Sequence, residues 1–173
     1  AEEGPLEGRD SGAPKMISEG ALENPKTDVI FGMHVAPLPT GMVCCRPGNL
    51  LASADIFDIS IKGKQTHGAM PWAGLDPIVI SAQIVLGLQS IISRRTNLTL
   101  APAVISIGMV HGGDTFNIIP EQVRMTGTIR ALDANIREEI KGQVKEMAHH
   151  IAKSGGCEAD VSIREAFPIS HND

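Results

Sequence analysis

Ten apolar side chains fall between Ile78 and Ile92: Ile78, Val79, Ile80, Ala82, Ile84, Val85, Leu86, Leu88, Ile91 and Ile92. Asp76 is placed to cap this segment and Pro77 to open it, which predicts a helix to about Ser93, with Arg94 and Arg95 complementing the negative end of its dipole. On a helical projection the apolar residues cover most of the circumference. Such a helix needs burial on two sides. The chain must therefore supply a sheet for one side, and a neighbouring domain or a partner subunit for the other.

The sheet is legible on either side of that helix. Phe57, Ile59 and Ile61 alternate with Asp58, Ser60 and Lys62, the period of a half-buried strand. Val104 to Val110 reads as a second strand. In a third, Val123, Met125, Gly127 and Ile129 alternate with Arg124, Thr126, Thr128 and Arg130, and Ala159, Val161 and Ile163 mark a fourth. Asp133 caps a second helix through about Ser154, with one apolar stripe (Ile136, Ile140, Val144, Met147, Ala148, Ile151) and a stop at Gly155-Gly156. The order is strand, helix, strand, strand, helix, strand, the split βαβ or ferredoxin-like arrangement, with both helices on one face.

Pro37, Pro39, Gly41, Pro47 and Gly48 punctuate the preceding stretch and put a domain boundary near residues 50–53. Before it, Ser11 to Leu22 predicts a short helix ended by Asn24-Pro25. Val29 to Val35 is nearly continuously apolar, which predicts a strand buried on both faces of a parallel α/β sheet. Ligands of such sheets gather at the strands' carboxyl ends, where His34 falls. A purely structural role for this histidine is open at this point.

Of 173 residues, 42% are hydrophobic and 20% charged, and the net charge is −5. This is a soluble globular balance that offers nothing to nucleic acid or to an anionic membrane. The longest apolar run is broken by Ser81, Gln83 and Gly87 and reads as no membrane span. Three cysteines, two of them adjacent (Cys44, Cys45), suit neither a disulfide framework nor a CxxC metal site, and point to a reducing, cytoplasmic setting. The opening Ala1-Glu2-Glu3-Gly4 reads as a fragment of a longer chain.

Three groups of residues can carry chemistry. Gly63 to Pro77 joins the first strand to the apolar helix through a loop with three glycines, two prolines and one imidazole, His67. An imidazole held between rigid elements can serve as acid, base or donor to a developing negative charge, or simply bond the turn. Glu2 and Glu3 are adjacent, and in an extended segment their side chains diverge, so that one can bind a metal while the other acts as base toward a metal-activated water; His34 is a suitable nitrogen ligand for the same ion. Asn117 lies in a hairpin loop (residues 111–120) longer than a turn requires, and Arg130, on the polar parity of the following strand, can grip a carboxylate with its forked guanidinium.

Taken together these segments resemble the M20 metallopeptidase family, and within it the amidohydrolases that include hippurate hydrolases and auxin-conjugate hydrolases. The likeness runs through Ala1-Glu2-Glu3-Gly4, Ile30-Phe31-Gly32-Met33-His34-Val35, the His-Gly-Ala-Met-Pro core at residues 67–71, Gly112-Gly113, Asn117-Ile118-Ile119-Pro120 and Thr126-Gly127-Thr128-Ile129-Arg130. It implies that Glu2 is the general base and that Glu3 and His34 are ligands of a site for two divalent metal ions (Zn, Mn, Co or Ni). It implies that His67 stabilises the oxyanion, typically from the opposite subunit, and that Asn117 and Arg130 bind an N-acyl amino acid substrate, Arg130 at its free carboxylate. It also implies a domain plan: residues 1–51 from the metal-binding catalytic domain, residues 52–165 as a ferredoxin-like satellite domain that forms a homodimer, and residues 166–173 returning to a catalytic domain mostly absent from this chain. The fragment is then expected to be inactive alone. The alternative is a non-catalytic dimerisation or small-molecule-binding module of the same fold.

Overall fold

The computed structural model describes residues 12–173; Glu2, Glu3 and the helix cap expected at Ser11 lie outside the described residues. The chain forms two compact units, one ending at Cys45 and the other spanning Arg46–Asp173.

In the first unit, helix α1 (Gly12–Ser18) is seven residues long and buries none of them, stopping short of the expected Leu22. The strand expected at residues 29–35 does not form. Phe31, Met33 and Val35 are 92%, 96% and 91% exposed on irregular backbone. A strand apolar on both faces holds its shape only between neighbouring strands and covering layers. Among the described residues of this unit the ladder pairing is limited to an isolated bridge between Glu23 and Lys26. His34 consequently lies on exposed chain rather than at a strand end.

In the second unit the elements are β1 (Gly48–Leu51), β2 (Ala54–Lys62), β3 (Thr66–His67), α2 (Pro77–Ser90), β4 (Ala103–Gly112), β5 (Ile118–Ile119), β6 (Gln122–Ala131), α3 (Ala134–Ser154), β7 (Glu158–Phe167) and β8 (Ser170–Asn172). The four long strands form a mixed α/β layer with α2 and α3, in the sheet order β4-β6-β2-β7, and every neighbouring pair is antiparallel. Strands β1 and β8, from the two ends of this unit's sequence, pair with each other as a separate ribbon.

The sheet's period-two pattern decides its faces. Phe57, Ile59 and Ile61 of β2 and Val123, Met125 and Ile129 of β6 are buried, while Asp58, Lys62, Arg124 and Arg130 are exposed on the opposite parity. Both helices cover the apolar face. Helix α3 buries Ile136, Ile140, Val144, Ala148 and Ala152, one residue per turn. Its first turn is capped by Asp133, whose carboxylate accepts the Asn135 and Ile136 N–H groups at 2.9 and 3.0 Å. Its end is set by two glycines acting differently. Gly156 has φ +75°, and the N–H of Cys157 returns to the Ala152 carbonyl at 2.9 Å, closing the helix in a left-handed cap. A side chain at Gly155 would collide with Ile80 of α2.

Helix α2 is capped by Asp76, which accepts the N–H groups of Ile78 and Val79 at 2.9 and 3.3 Å. It extends to Arg95 through one wide turn at Ile91–Arg95. The span Pro77–Arg95 is 19 residues long and apolar enough by composition to cross a bilayer. In the fold it is a core helix: Ile80, Ile84, Leu88 and Ile91 are buried between sheet and α3. Val85 and Ile92 pack partly against the core, whereas Ile78, Val79 and Leu86 are uncovered, between 45% and 73% exposed. The two-sided character of this helix thus survives into the fold, with one side unpartnered.

One polar pair interrupts the core. Asp55 shares the apolar parity of β2 and is 0% exposed. Arg137 of α3 meets it with two parallel hydrogen bonds, Nε to Oδ2 at 2.8 Å and Nη2 to Oδ1 at 2.6 Å. Arg137 also lies 3.4 Å from Glu165, which Lys141 bonds at 2.6 Å. The hydrogen bonds it donates to Asp55 are the main reason the Arg137 guanidinium holds its proton more tightly than usual. Glu165 is pulled below the ordinary carboxyl range, first by Lys141 and then by the Arg137 charge.

Candidate active-site loops

His67 stands on a loop closed at its neck by a reciprocal pair of backbone bonds, Lys64 N–H to the Leu75 carbonyl at 2.9 Å and Leu75 N–H to the Lys64 carbonyl at 3.0 Å. The neck is narrow because two of its residues have no side chain. A Cβ at Gly74 would come 2.6 Å from Thr66 Cγ2, and one at Gly63 would come 2.7 Å from the Pro77 ring. Pro77 in turn begins α2, so the loop is fixed at one side by a strand and at the other by a capped helix.

Within the loop, Met70 N–H donates to the His67 carbonyl at 2.8 Å, closing a tight turn. The same turn sets the imidazole. Ala69 N–H donates to His67 Nδ1 at 3.0 Å. A nitrogen that accepts a hydrogen bond carries no proton, so the neutral ring bears its proton on Nε2. His67 is exposed, and its Nε2–H is available outside the loop.

A second loop is zipped onto the first. Strands β3 and β5 pair antiparallel, His67 opposite Ile118 and Thr66 opposite Ile119. Gly68 N–H extends the ladder to the Asn117 carbonyl at 2.7 Å, and Gly63 N–H reaches the Glu121 carbonyl at 2.8 Å. The long hairpin loop docks on the His67 loop, and the register sets Ile118 opposite His67 and Asn117 against Gly68, the residue after it. Thr115 Oγ1 donates to Asn117 Oδ1 at 3.2 Å, which occupies the amide oxygen and leaves its NH₂ as the outward donor.

Arg130 is not part of this cluster. It lies on the exposed, open face of β6, opposite Val104 of β4, whereas the two loops adjoin the other end of β6 at Gln122. Arg130 lies eight residue steps along the strand from Gln122, about 27 Å. An N-acyl amino acid cannot reach both ends of that strand, so the sheet divides the expected substrate-binding residues into two sets, His67 with Asn117 and Arg130 apart.

In the first unit, the His34 Nδ1 hydrogen-bonds the Val35 carbonyl at 2.6 Å. A carbonyl only accepts, so Nδ1 carries the proton and the lone pair is on Nε2, the tautomer of an imidazole ligand whose other nitrogen is held by a backbone carbonyl. The donor chemistry at His34 thus fits a divalent metal ion. Among the described residues no three His, Cys, Asp or Glu side chains gather as a metal cage. The general base and ligand expected at Glu2 and Glu3 lie outside the described residues.

Residues 52–156 match the family model of the M20 peptidase dimerisation domain. The chain is 38% identical over 170 residues to the N-acetylcysteine deacetylase of Bacillus subtilis, covering 98% of this chain and 44% of that protein. It is 38% identical over 167 residues to the IAA-amino acid hydrolase ILR1-like 2 of Arabidopsis thaliana, covering 94% and 37%. The crystal structure of the Bacillus subtilis YXEP protein, described as a dinuclear metal-binding peptidase from the M20 family, superposes with a TM-score of 0.73 at 34% identity, covering 94% of this chain and 39% of that one. The chain thus spans about two fifths of the length of the proteins it matches.

Proposed function

The chain belongs to the M20 metallopeptidase family and carries its peptidase dimerisation domain, and on that premise we propose that the complete protein is a metal-dependent hydrolase of N-acyl amino acids or related peptide-like amides. The observation that carries this reading is the setting of His67: an exposed imidazole on a braced loop, with Nδ1 held by Ala69 N–H so that Nε2 bears the proton, and with the Asn117 carbonyl bonded to the N–H of the neighbouring Gly68. That arrangement supplies a hydrogen-bond donor to an oxygen gaining negative charge.

Divalent metal ions, when bound through Glu3, His34 and ligands beyond this chain, supply Lewis acidity toward the amide carbonyl and the attacking water. Glu2 takes the proton of that water and delivers it to the departing amine. His67 Nε2–H donates to the oxyanion, and Asn117 NH₂ holds the substrate beside it. Arg130 binds the free carboxylate. Because His67 and Arg130 sit at opposite ends of one sheet, they serve one substrate only as members of different protomers.

The homodimer this requires forms, in this reading, through the unpartnered side of α2 together with β4. Strand β4 is a sheet edge that carries half-exposed Val104, Met109 and Val110. The other edge, β7, carries Glu158, Asp160, Arg164 and Glu165 on its exposed positions, which discourage pairing there. The test is the metal content and amide hydrolysis of the complete protein with N-acyl amino acids. Bound divalent metal and turnover support the hydrolase; absence of both would instead assign a non-catalytic dimerisation or small-molecule-binding module.

A further inference from the structure

We propose that the cleft between the two zipped loops is a specificity subsite that takes a cationic group, an amine or guanidine, of the amide substrate; the proposal rests on the hydrolase reading above. The cleft holds about 360 Å³. Gln65, Asp114, Thr115, Glu121 and Gln122 give it polar walls, and Ile118 and Pro120 supply apolar surface.

Two observations connect this cleft to the reaction. In an antiparallel ribbon, residues directly opposite one another point to the same side, as do residues two apart on one strand. His67 is opposite Ile118. Ile118, which lines the cleft, therefore shares the ribbon face of His67. Independently, Thr115 both lines the cleft and donates to the Asn117 amide, so a group seated in the cleft touches the residue that orients Asn117.

The lining chemistry selects the occupant. Among the described residues Asp114 and Glu121 are its charged groups, and no Lys, Arg or His lines it. An anionic substituent would meet two like charges, whereas an ammonium or guanidinium would find two carboxylates and the amide and hydroxyl oxygens of Gln65, Gln122 and Thr115. A metal ion is a poor alternative, since the two carboxylates have no third His, Cys, Asp or Glu beside them among the described residues. The cation can belong to the amino-acid side or to the acyl side of the scissile amide, and both present the same chemistry to the cleft.

The test uses the complete metal-loaded enzyme and two matched substrate pairs. Nα-acetyl-lysine against Nα-acetyl-norleucine probes the amino-acid side, and N-(6-aminohexanoyl)-alanine against N-hexanoyl-alanine probes the acyl side. The expected result is a higher kcat/KM for the cationic member of one pair, which identifies the side. Asp114→Asn and Glu121→Gln should each reduce that preference by up to about fivefold, leave the neutral member unchanged, and remove the preference's decline with added salt. Turnover with no cation preference in either pair, or variants that slow both members equally, overturns the subsite and leaves the hydrolase reading intact. No turnover of any of the four substrates overturns the hydrolase reading and the subsite with it.

Discussion

Gly68 donates its backbone N–H to the carbonyl of Asn117 at 2.7 Å, extending the ladder that joins two loops 49 residues apart in the chain, one carrying the His67 imidazole and the other the Asn117 amide. Neither loop holds its side chain alone. The His67 turn sets the tautomer, and the Asn117 hairpin supplies the neighbouring donor. His67→Ala in the complete enzyme is expected to lower kcat by about 10²-fold or more with little change in KM, since an oxyanion donor acts mainly in the transition state. Steady-state kinetics check this; a raised KM with kcat preserved would refute the oxyanion role.

The separation of His67 from Arg130 gives a sharper prediction. Each single variant, His67→Ala or Arg130→Ala, damages both sites of a homodimer. If the two residues reach one substrate from different protomers, a mixed dimer contains one site with both residues intact and one with neither. Random re-association of the two inactive variants should then recover about a quarter of wild-type turnover. No recovery, with mixed dimers demonstrated by mass, would mean that both residues act from the same chain. Arg130→Ala alone should mainly weaken substrates with a free carboxylate, and an equal loss on the esterified substrate would count against its assignment.

Asp55 and Arg137 predict a stability effect distinct from activity. Removing one partner leaves a desolvated charge, and Arg137→Ala should cost about 3–5 kcal/mol in denaturant unfolding. Replacing both with apolar residues of similar volume should be far less harmful. An additive loss in the double variant would show that the side chains act independently.

Glu165 contributes to stability in a defined pH window. Its folded pKa lies below the ordinary value of 4.5 because Lys141 hydrogen-bonds it and Arg137 adds a nearby positive charge. The unfolded chain therefore binds the proton more readily, and the stabilisation is present above the ordinary value and lost as pH falls through the folded one. Glu165→Gln should lower thermal stability at neutral pH and match wild type in strong acid, with the difference closing below pH about 4.5. A difference independent of pH would assign the effect to packing.

The sequence by itself determined the local parts of the second unit. Period-two alternation marked β2 and β6, Asp76 and Asp133 marked both helix caps, and Gly155-Gly156 marked the end of α3, because each signal depends on a few neighbouring residues. The apolar helix was readable too, and in the fold one of its sides is uncovered. What failed was the strand at residues 29–35, whose apolar run is stable only with neighbours that the described residues of the first unit do not offer. Asp55 left a trace, an acid on the core parity of β2, but its partner Arg137 is 82 residues away and only the packing of α3 identifies it. The site was half legible in the same sense. His67 and Asn117 stood out as residues of shaped loops, yet the pairing of those loops, the tautomer of His67, the cleft beside it and the distance to Arg130 follow from strand register, and register between distant segments is decided only when the sheet closes.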